Sequence, residues 1–257
     1  MKTNKFIIVI ILLFLFGRCA NDSMIEDKSK VTLTVSSGAC FPEVSDKYVY
    51  PIVPGMIEWQ TAKSTDEIYE FCQLPDSILK SISTPGLIDA LIHAPMFTGF
   101  YLLSSNSSAL KWHGHYGQFN SAKELFQRKD AGDALTTYYK LVSFDCITPP
   151  FGASGDCERI MGLECLFTKQ EILDKIEHTK RKEAVAALLT NYEQYPDNVN
   201  IIFPMAYIMF TDKYAPIMEY YQNHTEKFQY ILTGHCYSLD QIDIIVSFAQ
   251  SFTKNKK

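Results

Sequence analysis

The segment from Thr168 to Phe210 reads TKQEILDKIEHTKRKEAVAALLTNYEQYPDNVNIIFPMAYIMF, and its pattern decides the fold class. It opens with Thr168 three residues ahead of Glu171, a pair whose side chains can satisfy the backbone N–H groups left unpaired in a first helical turn. Apolar residues then recur at spacings of three and four, which puts them on one helix face. The segment ends in the apolar run Ile201 to Phe210, which Pro204 interrupts and Thr211-Asp212-Lys213 follows. That run suits a buried helix and falls well short of the roughly 20 residues a membrane span requires.

The same start signal recurs on either side, at Ser64/Glu67, Ser121/Glu124 and Ser238/Gln241. Two further starts, Leu74-Pro75-Asp76 and Ser83-Thr84-Pro85, place proline near the first helical position, where its missing N–H is harmless. Ile68, Tyr69 and Cys72 share one face, as do Leu87, Ile88, Leu91 and Ile92 before Pro95 stops that helix. Residues 121–143 read as two helices broken at Arg128-Lys129-Asp130-Ala131-Gly132. There Asp130 caps the second helix, and the two cations complement the dipole of the first. The region 144–166, centred on Asp145 to Asp156 with its prolines and glycines, reads as a loop. Beyond it helices are expected over 169–193, 199–211, 213–222, 224–232 and 239–252. Strand signals are scarce, with one short alternation at Val31 to Val35 as a candidate edge strand. The expected fold is all-α, made of packed helical hairpins of the sort that a HEAT/TPR-like superhelical array stacks.

The N-terminus carries a different message. Met-Lys-Thr-Asn-Lys precedes an unbroken apolar run from Phe6 to Phe16, then Gly17-Arg18 and Cys19, which is the layout of a signal peptide over residues 1–18. Leu15-Phe16-Gly17-Arg18-Cys19 resembles the lipobox of bacterial lipoproteins, departing from it at Arg18 and Phe16. The resemblance implies acylation of Cys19, palmitate included, and a lipid-anchored place in the cell envelope, with the outer membrane expected and the domain facing the periplasm or the cell surface. The alternative is ordinary signal cleavage, with Cys19 passive. Residues 19–46 are polar and weakly patterned and are read as a tether. The folded domain is expected over 47–257, entered through Tyr48-Val49-Tyr50-Pro51-Ile52-Val53-Pro54-Gly55, which is extended because of its prolines.

Without residues 1–18 the chain keeps 21 of its 24 basic residues against 29 acidic ones, a net charge near −8. Nucleic acid is therefore not an expected partner, since phosphate binding needs a basic face. A composition that is 47% hydrophobic is enough for one substantial core. Cys40, Cys72, Cys146, Cys157, Cys165 and Cys236 remain, in a compartment that permits disulfides, and six cysteines allow 15 pairings. Cys146, Cys157 and Cys165 crowd the expected loop and are the candidate disulfide partners.

Tyr50-Pro51-Ile52-Val53-Pro54-Gly55, Glu58-Trp59, Cys72-Gln73-Leu74-Pro75, Ser83-Thr84, Glu124 to Gly132 and Tyr230-Ile231-Leu232-Thr233-Gly234 together resemble an uncharacterised group of exported helical proteins from gut Bacteroidota and related anaerobes. The resemblance implies a helical domain behind a lipoprotein signal, and it implies no activity. Trp112-His113-Gly114-His115-Tyr116 and the cysteine-rich stretch 146–165 depart from it. Asp22-Ser23-Met24 and Asp76-Ser77-Ile78 look like the O-glycosylation tripeptide of Bacteroidota, with Ser23 the more accessible acceptor.

Candidate chemistry is sparse. His113 and His115 share a face only in extended chain, and neither has further metal ligands at a diagnostic spacing, so both are first read as exposed loop histidines. His235 and Cys236 are adjacent, a spacing that points their side chains apart. No nucleophile elbow, zinc-protease helix or phosphate-cradling glycine loop is present, and no cofactor is expected. Tyr48, Tyr50 and Trp59 are either a sugar-stacking platform or the cover of a core. The leading expectation is a non-catalytic envelope module that binds a protein or a glycan. The rival is an envelope hydrolase using His113, His115 or a cysteine, with Cys157 the first to test.

Overall fold

A computed structural model describes residues 31–98, 114–147, 155–233 and 238–254, and helices dominate them. β1 (Leu33–Thr34) pairs antiparallel with β2 (Glu43–Val44), Leu33 lying opposite Val44. Six short helices follow: α1 (Ile57–Gln60), α2 (Thr65–Glu70), α3 (Asp76–Ser81), α4 (Thr84–Ile92), α5 (Asn120–Leu125) and α6 (Ala131–Tyr139). Next come α7 (Gly155–Leu166), α8 (Gln170–Leu173), α9 (His178–Gln194) and a 3-10 turn (Val199–Ile201) that runs into α10 (Ile202–Thr211). The chain closes with α11 (Ala215–Asn223), α12 (Thr225–Thr233) and α13 (Leu239–Lys254). The fold is all-α, and none of the described helices is long and apolar enough to cross a membrane.

Two expected helix starts form as the side chains require. Ser64 Oγ accepts the Glu67 N–H at 3.2 Å while Glu67 Oε2 reaches back to the Lys63 N–H at 2.7 Å. Ser83 Oγ accepts the Gly86 N–H at 3.0 Å, with Pro85 in the first turn. Gly86 is required there, because a Cβ would stand 2.5 Å from the Asp46 carboxylate, which itself takes the Ser83 N–H at 2.6 Å.

Other starts are displaced, by partners both distant and near in the chain. α5 begins at Asn120, one residue before Ser121, and the Asn120 amide bonds both the N–H and the carbonyl of Leu74, at 2.9 and 2.8 Å. Thr168 gives its hydroxyl to the Cys165 carbonyl at 2.7 Å, and α8 starts two residues later. The single helix expected over 169–193 is two, because Asp133 takes the Glu177 N–H at 3.1 Å and the backbone at Ile176 presses on Gly132, where a Cβ would meet it at 2.6 Å. Asp130 occupies the N-cap position of α6, but its carboxylate accepts the Thr84 hydroxyl at 2.8 Å and caps nothing. Arg128 closes the end of α3 by donating to the Leu79 and Ile82 carbonyls at 2.9 and 3.1 Å.

Two boundaries need correction. Residues 31–46, expected as tether, belong to the folded unit that runs from Val31: Cys40, Phe41 and Val44 are buried, and Ser143 N–H bonds the Cys40 carbonyl at 2.9 Å. The stretch 155–166, expected as loop, is the helix α7, eight of whose twelve residues are buried. A helix buried along most of its length shows no single apolar stripe, and Asp156, Glu158, Arg159 and Glu164 disguise it further. The core centres on α4, with Leu87, Ile88, Leu91 and Ile92 fully buried against α5 and α6. Further along, α13 returns to pack on α9 and α10, so this part closes as a bundle instead of extending a one-dimensional array.

Candidate functional site

The cysteines are paired otherwise than the sequence suggested. Cys146 bridges Cys40, their Cα atoms 5.4 Å apart, and no bridge forms within the set Cys146, Cys157 and Cys165. Cys157 and Cys165 are buried on α7 as thiols, and burial with the neighbouring Glu164 pushes the Cys165 thiol far up. Burial also pushes Cys72 up to about 11. A thiolate nucleophile needs a lowered value and access, and neither Cys72 nor Cys165 has them.

His115 is a core residue and not an exposed loop histidine. It is 5% exposed, with its ring edge-on to Phe119 at 5.0 Å. Its Nε2 lies 3.1 Å from the Phe97 carbonyl and its Nδ1 3.4 Å from the Tyr69 hydroxyl. A carbonyl only accepts, so Nε2 carries the proton and Nδ1 receives the Tyr69 O–H. Burial lowers its pKa to about 4, leaving a neutral imidazole with both nitrogens engaged. Cys19, Ser23, His113, His235 and Cys236 lie outside the described residues, whereas Ser77 is exposed in the first turn of α3. Tyr50 is buried and donates its hydroxyl to the Ala90 carbonyl at 3.0 Å, and Trp59 packs on Phe71, so these aromatics cover the core.

Two buried carboxylates carry no distinguishing signal in the sequence. Glu164, fully buried on α7, accepts the Tyr139 hydroxyl at 2.7 Å and the Asn198 amide at 3.0 and 3.2 Å. Neither Tyr139 nor Asn198 is a cation, and burial raises the Glu164 pKa to about 7 despite the hydrogen bonds. Asp89, 2% exposed on α4, takes the Tyr138 hydroxyl at 3.0 Å and lies 3.2 Å from His93 Nδ1. His93 Nδ1 also bonds the Asp89 carbonyl at 2.9 Å, which marks it as the cap of α4's C-terminal end. Among the described residues no group of three or more His, Cys, Asp or Glu side chains is placed to hold a metal.

A concavity lies elsewhere, where α11, α12 and α13 meet. It is an open groove of about 620 Å³, within the range of small-ligand sites. Tyr220 of α11 and His224, the residue that caps its C-terminal end, stack at 4.6 Å with rings 22° from parallel, and Phe248 of α13 stands edge-on to Tyr220 at 6.0 Å. Polar groups converge from both sides: Lys227 from α12, and Gln241, Asp243 and Ser247 from α13. Gln241 is held in place, its Oε1 accepting the Ser238 N–H at 3.0 Å at the start of α13. The groove thus offers an aromatic wall, a held amide, carboxylates and a cation, and among the described residues no nucleophile and base are assembled there. Its sequence signal was the polar face Asp240, Asp243 and Ser247 at helical spacing, which reads equally well as a solvated surface. Another groove, of about 330 Å³, lies over Tyr139 and Asn191, walled by the Lys140–Glu183 ion pair at 2.6 Å. No protein-family model, curated protein or solved structure matches the chain.

Proposed function

We propose that the chain is a lipid-anchored module of the bacterial cell envelope that binds without catalysing, and that the groove between α11, α12 and α13 is its binding site. The observation that carries this reading is the pairing, in one open groove, of stacked rings (Tyr220, His224) with convergent polar groups (Gln241, Asp243, Ser247, Lys227). An aromatic face receives the C–H face of a sugar, and carboxylate and amide oxygens take its hydroxyl protons, so a glycan suits this wall better than an apolar protein surface does. The N-terminal signal and Cys19, together with the resemblance to exported Bacteroidota proteins, support the envelope location. The rival hydrolase reading loses support from His115 and Cys157, because both are buried in the core.

The test is binding of the full chain to envelope glycans on an array, with Tyr220→Ala and Phe248→Ala as variants. Captured glycans lost at least tenfold in both variants, with unchanged melting, support the reading. Undiminished binding in both variants removes the groove from it, and turnover of an envelope substrate by the wild type removes the non-catalytic claim.

A further inference from the structure

We infer that the lobe from Val49 to Trp59 seats on the surface of a lipid bilayer. Among the described residues seven large hydrophobic side chains are exposed, and four of them fall within nine residues: Val49 at 76%, Ile57 at 71%, and Val53 and Met56 at 39% each. Isolated exposed aliphatics are ordinary, but a contiguous group of them marks a surface made to be covered. The lobe is also held rigid in this exposed state. Pro54 and Gly55 form the corner of a type II turn, Gly55 at φ +99° with the Met56 N–H on the Val53 carbonyl at 3.2 Å, and Gln60 ties the next turn back to the Gly55 carbonyl at 3.0 Å. Tyr50 ties one end to the core through the Ala90 carbonyl, and Trp59 packs on Phe71 at the other.

Position and charge select lipid as the occupant. Between Val49 and Trp59 the single charge is Glu58, on a chain whose net charge without residues 1–18 is near −8. Of the surfaces this acidic domain presents, the lobe is thus one that can approach headgroups without pushing against them. Its exposed tip is aliphatic and demands no directional partners, which fluid acyl chains can meet, whereas protein interfaces are centred on aromatic and arginine anchors. Cys19 precedes Val31 by twelve residues, at most about 40 Å of extended chain. An acyl group on Cys19 would therefore hold the lobe beside the bilayer and add to the affinity that its aliphatic side chains have without it. The inference rests on the envelope reading of the N-terminus, and its test separates the two.

The chain from residue 20 holds the whole packed unit and no acyl group, and is floated with zwitterionic phosphatidylcholine vesicles. Val49→Asp with Ile57→Asp is expected to cut the bound fraction at least tenfold at unchanged melting temperature, since both side chains are already exposed. In the acylated full chain with Trp112→Phe, Trp59 is the single indole, and brominated acyl chains are expected to quench at least half of its emission. Equal flotation of wild type and double variant overturns the inference, as does a wild-type dimer that the variant splits without any vesicle binding. Mass spectrometry of the N-terminal peptide reports on the anchor alone: an unmodified Cys19 removes the anchor, while the flotation result still judges the lobe.

Discussion

α7 and α13 are both helices beside the same core, and they treat polar residues in opposite ways. α7 buries eight of its twelve residues and carries a carboxylate, Glu164, into the interior, where Tyr139 and Asn198 must satisfy it. α13 buries only Ile242, Ile245, Ala249 and Phe252 along one stripe, and it leaves Asp243, Ser247 and Gln241 to the groove. A polar group on α7 therefore bears on stability, and one on α13 bears on what the surface can hold. The contrast makes claims that substitutions can break.

The largest effect is expected where the chain is pinned on its way into α7. Opening the Cys40–Cys146 bridge, by reduction or by paired Cys→Ser changes, frees a closed loop with a sequence separation of 106 and should lower stability by about 4–5 kcal/mol in denaturant titration. Next, Leu163→Ala on α7 removes a fully buried side chain and should cost about 3 kcal/mol, whereas Ser247→Ala on α13 should stay within about 0.5 kcal/mol. If the two cost the same, the helices do not differ as described.

Acid–base behaviour sharpens the comparison. Glu164 has its folded pKa raised from 4.5 to about 7, so its contribution is intact below about pH 4.5 and is lost as pH rises toward 7. The gap corresponds to about 3 kcal/mol, and Glu164→Gln is expected to gain up to that amount at pH 8 and nothing at pH 4. His115 runs the other way. Its folded pKa is lowered from 6.5 to about 4, so its contribution is intact above about pH 6.5 and is lost as pH falls toward 4. Between about pH 4.5 and 6.5 the two slopes oppose each other. In that window the Glu164→Gln protein should therefore gain stability with pH relative to the wild type, as thermal melts across pH would show. The smallest effect belongs to α13: Asp243→Asn should leave melting within about 0.5 kcal/mol of wild type while weakening capture of any glycan ligand.

Much of the helical layout was legible because it is amphipathic or locally capped. Ser64, Ser83 and Pro85 announce α2 and α4 through contacts a few residues away, and the stripe of α13 follows helical spacing. What escaped depends on distant partners. α7 has no apolar face to detect because it is covered on nearly every side, and its cysteines, glycine and glutamate read as loop. The start of α5 moved because the Asn120 amide serves Leu74, forty-six residues away. The bridge is hidden for the same reason: Cys146 is close to Cys157 in sequence but meets Cys40, in a stretch that reads as a tether. The site was less legible than the fold. His115 stood out as chemistry and is structural, whereas Tyr220 and His224, stacked in the groove, are ordinary residues at the end of an amphipathic helix until α13 faces them.

The Cys40–Cys146 bridge has a mechanical side as well. Cys40 sits ten residues into the described chain, so a pull on the N-terminal segment reaches it after little more than the β1–β2 turn. From there the load passes through a covalent bond to Cys146 and on toward α7, and it bypasses every helix from α1 to α6. Drag or traction on an anchored molecule would then peel at most the short β1 segment before meeting a link that does not unzip, and the amino-terminal half of the core would stay unloaded.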